Sequence, residues 1–147
     1  MTFKEYLDNN IVLLDGGMGT LLQSMGLKSG EGSEAWNITH PEEIIKVQKA
    51  YYDAGSNVVS TNTFGVNIFK YNESEVTQLI DAAFVCAEKA RKLTTNKGEK
   101  FIAFDIGPTG RLLKPYGTMD FEEAVDSFKF GIKCALKHSP DLIFIET

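Results

Sequence analysis

The 147-residue sequence lacks several features that mark particular classes of protein. Its two cysteines are too few for a disulfide framework and indicate a reducing compartment. No apolar run approaches the roughly 20 residues that span a bilayer, and the N-terminus lacks the basic start and apolar stretch of a signal peptide. We therefore expect a cytoplasmic protein that does not act at a membrane.

Basic residues are also scarce. The 15 lysines and arginines are outnumbered by 20 aspartates and glutamates, which gives a net charge of −5. A protein that binds the phosphate backbone needs a basic surface, so we expect no nucleic-acid partner. The hydrophobic share of 43% and the charged share of 24% are ordinary for a globular protein, and the length suits one domain.

Short apolar runs alternate with longer helical patterns along the chain. The runs at residues 11–15, 57–61, 101–106 and 141–146 are bounded by Gly or Pro, which is typical of buried parallel strands. The spacing of apolar residues predicts helices between the runs and a short helix at residues 3–7. The order β-α-β-α-β-α-β indicates a parallel sheet, which is either open and doubly wound or closed into an eight-stranded barrel.

Sequence signals also mark where these helices begin. Asn72 with Glu75, and Asp120 with Glu123, have the spacing of capping boxes. Another helix, which precedes these two in the chain, is expected to begin at Pro41, with Thr39 or His40 as its cap.

Polar residues end the apolar runs, and the carboxyl ends of parallel strands are where sites lie in both architectures. We therefore expect these residues to converge on one rim. A second interpretation stays open, because strands must end somewhere and polar residues commonly end them. The residues are Asp15, Thr61, Asn62, Thr63, Asp105 and Glu146.

The segment from Asp15 to Thr20 leads from the first run through a glycine-rich turn into a helix. Glycines let backbone N–H groups approach an anion such as a carboxylate or phosphate, while Asp15 could hold an ammonium group. No Gly-Lys-Ser/Thr follows, and Leu22 occupies the third glycine position of the dinucleotide fingerprint, which disfavours a nucleotide site. The alternative is a tight turn that needs positive φ angles.

The two cysteines show no metal-binding pattern. Cys86 and Cys134 fall within predicted helices, outside any C-x-x-C motif and without a histidine at ligand spacing. We expect both to be small core residues.

Seven segments, in order along nearly the whole chain, resemble the homocysteine S-methyltransferase family. The resemblance is greatest to the branch that forms the N-terminal homocysteine-binding domain of cobalamin-dependent methionine synthase. Gly65 favours this branch, since the betaine-dependent branch usually has tyrosine there. The segments are residues 14–22, 36–37, 40–42, 52–58, 61–65, 105–110 and 143–147.

The resemblance implies a TIM (β/α)8 barrel that transfers a methyl group to the thiol of homocysteine and forms methionine. It further implies a zinc ion on three cysteines, which makes the thiol a bound thiolate, and methylcobalamin in the full-length protein. By the same resemblance, eight residues would bind or surround the substrate. Backbone amides at Gly17, Met18 and Gly19 would take its carboxylate, Asp15 and Glu146 would surround its amino group, Asn62 and Thr63 would line the pocket, and Asp105 would support it.

The chain departs from this family in its length. A barrel needs ~250 residues, and the family's zinc cysteines lie on later strands, beyond Thr147. We therefore expect residues 1–147 to form the N-terminal half of the barrel, about four βα units, ending after the fourth strand. Such a half would be inactive alone and would bind neither zinc nor cobalamin tightly. It would self-associate through its unpaired edges, whereas in a full-length protein it would meet the other half-barrel and cobalamin and folate modules.

Other functions remain open at this point. The chain could be a non-catalytic half-barrel that binds a partner chain or its own copy, or part of a betaine- or S-methylmethionine-dependent homocysteine methyltransferase. An open Rossmann-like nucleotide binder is a further alternative, disfavoured by Leu22. A cysteine-bearing second half in the same reading frame would favour the enzyme, and a natural stop codon after Thr147 would favour the non-catalytic form. The methyl donor is not specified by these residues.

Overall fold

The computed structural model describes all 147 residues and contains one sheet of three parallel strands. The strands are β1 (Val58–Ser60), β2 (Phe101–Ile106) and β3 (Leu142–Ile145), and their order in the sheet follows the chain. Each strand is reached from the previous one through a helix, as the alternating pattern predicts. The helices are α1 (Phe3–Leu7), α2 (Gly19–Ser24), α3 (Trp36–Thr39), α4 (Pro41–Asp53), α5 (Glu73–Leu93) and α6 (Phe121–Leu136), with a 3₁₀ turn at Ser33–Ala35.

Alternate residues of β2 face opposite sides of the sheet. Ile102 and Phe104 pack among apolar side chains of α5 and α6, in the main core. Phe101 and Ala103 pack on the other side with Val58, where α1 adds Phe3 at 5.3 Å between ring centroids. The strand is therefore buried on both faces, which explains its uninterrupted apolar sequence.

Helix α5 begins and packs as its sequence predicts. The Asn72 side chain accepts a hydrogen bond from the Glu75 amide, and the Asn72 amide donates to the Glu75 carboxylate, both at 2.9 Å. The residues spaced at three and four along the helix form its buried stripe. These are Val76, Leu79, Ile80, Ala83, Phe84, Ala87 and Ala90. No helix of the structure is both long enough and apolar enough to cross a membrane.

The predicted first strand, residues 11–15, is wrong as a strand. The Leu13 carbonyl accepts hydrogen bonds from the amides of Asn57 and Val58. Leu14 forms an isolated bridge to Val58. Side chains take over on either side of that bridge. Asn57 accepts from the Leu13 amide through its side-chain oxygen at 3.0 Å, and Asp15 accepts from the Ser60 amide through its carboxylate at 2.7 Å. Because these groups replace backbone partners, the regular ladder does not form and the sheet has three strands, not four.

The prediction of His40 as the cap of helix α4 is confirmed in position but not in its side-chain bond. His40 stands at the N-cap position of α4, but its side chain makes no capping bond. Its ring stacks on Trp36 at 4.3 Å between centroids, and its Nδ1 lies 2.8 Å from the Thr39 hydroxyl. Helix α3, which the sequence did not indicate, brings these three residues together.

Strand β3 lies at an edge of the sheet and leaves apolar side chains uncovered. Ile143 pairs in register with Phe104 and Ile145 with Ile106, so both point to the side that α6 covers over β2. Ile143 is nevertheless 41% exposed and Ile145 77% exposed. An unpaired strand edge beside exposed apolar side chains favours association with another chain.

We predict that the 147-residue chain self-associates through β3. Sedimentation velocity over a range of concentrations should show a dimer or larger species, and Ile145→Lys should shift it towards the monomer. Leu93→Lys is the matched control, because Leu93 is a 58% exposed apolar residue at the end of α5 and is not part of the sheet. A monodisperse monomer at every concentration would contradict the prediction.

Candidate functional site

A cavity of about 460 Å³ opens at the carboxyl ends of the strands. Its walls come from the glycine-rich segment after the Leu14 bridge, from the segment that follows β1, and from the ends of β2 and β3. All eight residues proposed from the sequence lie in its lining, although their roles in binding stay predictions. They are Asp15, Gly17, Met18, Gly19, Asn62, Thr63, Asp105 and Glu146.

The glycine-rich turn is shaped by close packing. The Tyr51 hydroxyl donates to the Gly17 carbonyl at 2.7 Å, and a Cβ on Gly16 would lie 2.9 Å from that hydroxyl oxygen. Neither residue has a positive φ, and neither does Gly19. The alternative of a turn that needs left-handed glycines is therefore wrong, and the absence of a side chain at Gly16 is what the packing requires.

Asp15 holds the turn to β1 through its carboxylate. The Ser60 amide donates to one oxygen at 2.7 Å, and the Ser60 hydroxyl donates to the other at 3.2 Å. Burial raises the pKa of Asp15, the two bonds from Ser60 lower it in part, and the charge of Glu146 adds to the rise. The net pKa of Asp15 is raised.

Two threonine hydroxyls hold the main chain of Asp105. Its amide donates to the Thr61 hydroxyl at 3.1 Å, and its carbonyl accepts from the Thr63 hydroxyl at 2.7 Å. The two hydroxyls lie 2.7 Å apart. Since Thr63 gives its proton to the carbonyl, Thr61 must donate to Thr63.

The carboxyl group of Asp105 lacks such support. The residue is 4% exposed, and its Oδ1 has no hydrogen-bond partner. Burial, followed by the charge and hydrogen bond of Glu146 and the charge of Asp15, raises the pKa of Asp105 to about 8. The surroundings of Asp105 therefore favour its protonated, neutral form.

Asn62 and Thr63 line the cavity with polar groups that already have protein partners. Asn62 donates from Nδ2 to the Ser33 carbonyl and to the Asn37 side chain, both at 2.9 Å, and accepts from the Ser33 hydroxyl at 3.2 Å. Asn37, whose role the sequence did not reveal, donates in turn to the Asn62 carbonyl at 2.8 Å. These bonds fix the cavity wall.

The sequence also did not reveal an ion pair behind this wall, between the buried Glu34 and the exposed Lys70. Glu34 is 4% exposed and accepts from the Lys70 ammonium at 2.5 Å and from the Tyr71 hydroxyl at 3.0 Å. Burial raises the pKa of Glu34, but the bond and charge of Lys70 and the bond from Tyr71 lower it overall. A Cβ on Gly65 would lie 2.5 Å from the Glu34 Oε1, so the pair needs glycine there.

The residues present do not fit the three-cysteine zinc site that the family resemblance implies. Cys86 lies in α5 with its sulfur 3.8 Å from the Asn37 carbonyl, and burial raises its pKa to about 11. Cys134 lies in α6, 3.6 Å from the Thr77 hydroxyl. Both face the helix layer, neither lines the cavity, and no three potential ligands are grouped to hold a metal ion.

Parallel strands joined through helices, with a polar cavity at their carboxyl ends, place the chain among the α/β proteins whose sites lie at that end of the sheet. The family model described as homocysteine S-methyltransferase matches residues 12–147, and the chain belongs to this family.

Solved structures of one family member share the fold. The homocysteine methyltransferase MmuM from Escherichia coli, in its metallated form, aligns with a TM-score of 0.80 at 23% identity, over 95% of this chain and 55% of that one. Its oxidized form gives 0.79 at 23%, over 95% and 54%. Its apo form gives 0.72 at 27%, over 93% and 49%. The chain thus spans about half the length of these relatives.

The raised pKa of Asp105 predicts a pH dependence of stability. The folded protein keeps a proton that the unfolded chain loses near its ordinary pKa of 3.8. The free energy of unfolding should therefore fall as the pH rises from about 4 through about 8. Asp105→Asn removes this loss, so its stability relative to the wild type should rise by about 1–3 kcal/mol across that window. Urea unfolding at several pH values measures the difference.

Asp126→Asn is the control for this measurement, because Asp126 is an exposed aspartate on α6, outside the cavity. Its stability curve should run parallel to that of the wild type. An Asp105→Asn curve that also runs parallel would contradict the assignment of the proton to Asp105.

The contact between Gly65 and Glu34 predicts a second effect on stability. In Gly65→Ala the new Cβ must displace the Glu34 carboxylate from Lys70, which should lower the free energy of unfolding by about 1–3 kcal/mol. Gly131→Ala is the matched control. Its Cβ would lie 3.9 Å from Phe104, an ordinary contact within α6, so its stability should stay equal or rise. Equal stability of Gly65→Ala and the wild type in thermal unfolding would refute this account.

Proposed function

We propose that the chain is the homocysteine-binding part of a methyltransferase that moves a methyl group to the thiol of homocysteine and forms methionine. Membership of the homocysteine S-methyltransferase family supports the proposal. The observation that carries it is the acidic cavity, which Asp15, Asp105 and Glu146 line together with the glycine-rich turn of residues 16–19. Such a cavity suits the two charged groups that every free amino acid carries.

The amino acid would bind with its charges matched to these walls. Its ammonium group would lie between Asp15 and Glu146, where negative charge is concentrated. Its carboxylate would accept hydrogen bonds from the backbone amides of Gly17, Met18 and Gly19. Helix α2 has only six residues, so its dipole is small. Its contribution to this turn would be backbone amide donors.

The thiol end of the reaction lies outside what this chain's residues provide. Cys86 and Cys134 face the helix layer, so we derive no step through zinc. Within the proposed reaction, this chain binds and orients the amino acid, and the wall fixed by Asn62 and Thr63 holds the cavity in shape. Activation of the thiol would need ligands that this chain does not hold near the cavity.

For the methyl donor we favour the 5-methyltetrahydrofolate type with cobalamin over the betaine type. Gly65 supports this choice, because the betaine-dependent branch usually has tyrosine there. A side chain at Gly65 would collide with the buried Glu34 carboxylate. Cobalamin and folate modules, the rest of a barrel and a zinc site are partners that this proposal requires outside the chain. An S-methylmethionine-dependent enzyme is the alternative.

Calorimetric titration of the chain with L-homocysteine tests the proposal. We expect one binding site, and we expect Asp15→Asn to weaken binding at least ~10-fold because it removes a charge partner of the ammonium group. The asparagine oxygen can still accept from the Ser60 amide, so the fold should persist. Asp126→Asn, an exposed change outside the cavity, should bind as the wild type does. Absence of binding by the wild type, or equal affinity in Asp15→Asn, would contradict the proposal.

A further inference from the structure

The proposed binding of the ammonium group by Asp15 and Glu146 gives no role to the carboxyl group of Asp105. Its side chain is almost fully buried, yet one carboxyl oxygen has no partner. No lysine, arginine or histidine lines the cavity. A buried carboxyl group in these surroundings must either keep a proton or meet a cation that comes from outside the protein.

The three carboxyl groups differ in how well their negative charge is supported. Two donors from Ser60 stabilise the charge of Asp15, and Glu146 is exposed to solvent. Asp105 has neither kind of support, because the threonine hydroxyls bond to its main chain. The proton of the empty cavity therefore belongs on Asp105.

We propose that the ammonium group of a bound amino acid displaces this proton, so that Asp105 becomes a third carboxylate around the cation and each binding event releases one proton to solvent. The inference rests on the proposed function and adds to it a coupling between amino-acid binding and proton release. The balance is simple. The O–H bond of Asp105 breaks, its proton passes to the buffer, and the carboxylate pairs with the –NH₃⁺ group, with no change in oxidation state.

The coupling makes Asp105 a specificity residue. A ligand with an ammonium group can donate one hydrogen bond to each of three carboxylates, whereas a ligand without one leaves Asp105 protonated. The titratable groups facing Asp105 are Asp15 and Glu146, and Tyr51 lies near Asp15. Affinity for the amino acid should accordingly rise with pH from about 5 to about 8, as less work is needed to remove the proton.

The test is calorimetric titration with L-methionine at pH 7 in phosphate and in Tris, two buffers with different enthalpies of ionisation. L-methionine has no thiol, so the thiol proton of homocysteine does not enter the count, and Asp105→Asn shows whether the proton comes from Asp105. The dependence of the binding heat on the buffer gives the number of protons released. We expect a value near one for the wild type and near zero for Asp105→Asn. The matched ligand 4-(methylthio)butanoate, which lacks the amino group, should release none and should bind at least ~10-fold more weakly.

Each outcome decides the inference. Proton release by the wild type that disappears in Asp105→Asn supports it. Binding of L-methionine without proton release overturns it and leaves the proposed function standing. The same release from both proteins overturns it too, because the proton would then come from another group. If L-methionine does not bind in either buffer, the inference and the proposed function both fail. The wild-type result with the two ligands decides the matter even if Asp105→Asn folds poorly.

Discussion

Two threonine hydroxyls hold the main chain of Asp105 at both its amide and its carbonyl, and the chemistry of the cavity follows from that constraint. The hydroxyls of Thr61 and Thr63 continue the pairing of β1 with β2 beyond Ser60, where the regular ladder ends. They fix the backbone but leave Oδ1 of Asp105 without a hydrogen-bond partner. A poorly solvated acid thus stands beside Asp15 and Glu146, and the charge of the cavity depends on where its proton lies.

The parts of the fold that depend on local pattern could be predicted from the sequence. The burial of strand β2 follows from its unbroken apolar run, and the burial of helix α5 follows from its stripe of apolar residues at a 3.6-residue spacing. The meeting of strand ends at one rim follows from parallel pairing. What could not be predicted depends on side chains that reach distant backbone or side-chain groups. Asp15 and Asn57 replace the ladder of the first segment, and Glu34 finds Lys70 36 residues away. The spacing of apolar residues along the sequence does not indicate such bonds.

The cavity and the two cysteines lie in different parts of the structure. The carboxylates proposed for the amino group and the glycine-rich turn proposed for the carboxylate group both line the cavity, next to β1 and β2. The cysteines lie in the helix layer, where Cys86 serves packing and its raised pKa keeps it a thiol. The groups proposed to bind the polar end of the ligand therefore lie beside β1 and β2, which the surrounding core holds in position.

The strands lie side by side in the same order in which they occur along the chain. Helices α4 and α5 pack against each other, and α4 packs on β1, so these contacts join residues that all precede β2 and β3 in the chain. Each new unit adds to the edge of the one before it, and no strand has to insert between two others. A growing chain can therefore fold in the direction of its synthesis on the ribosome, with each βα unit serving as the template for the next.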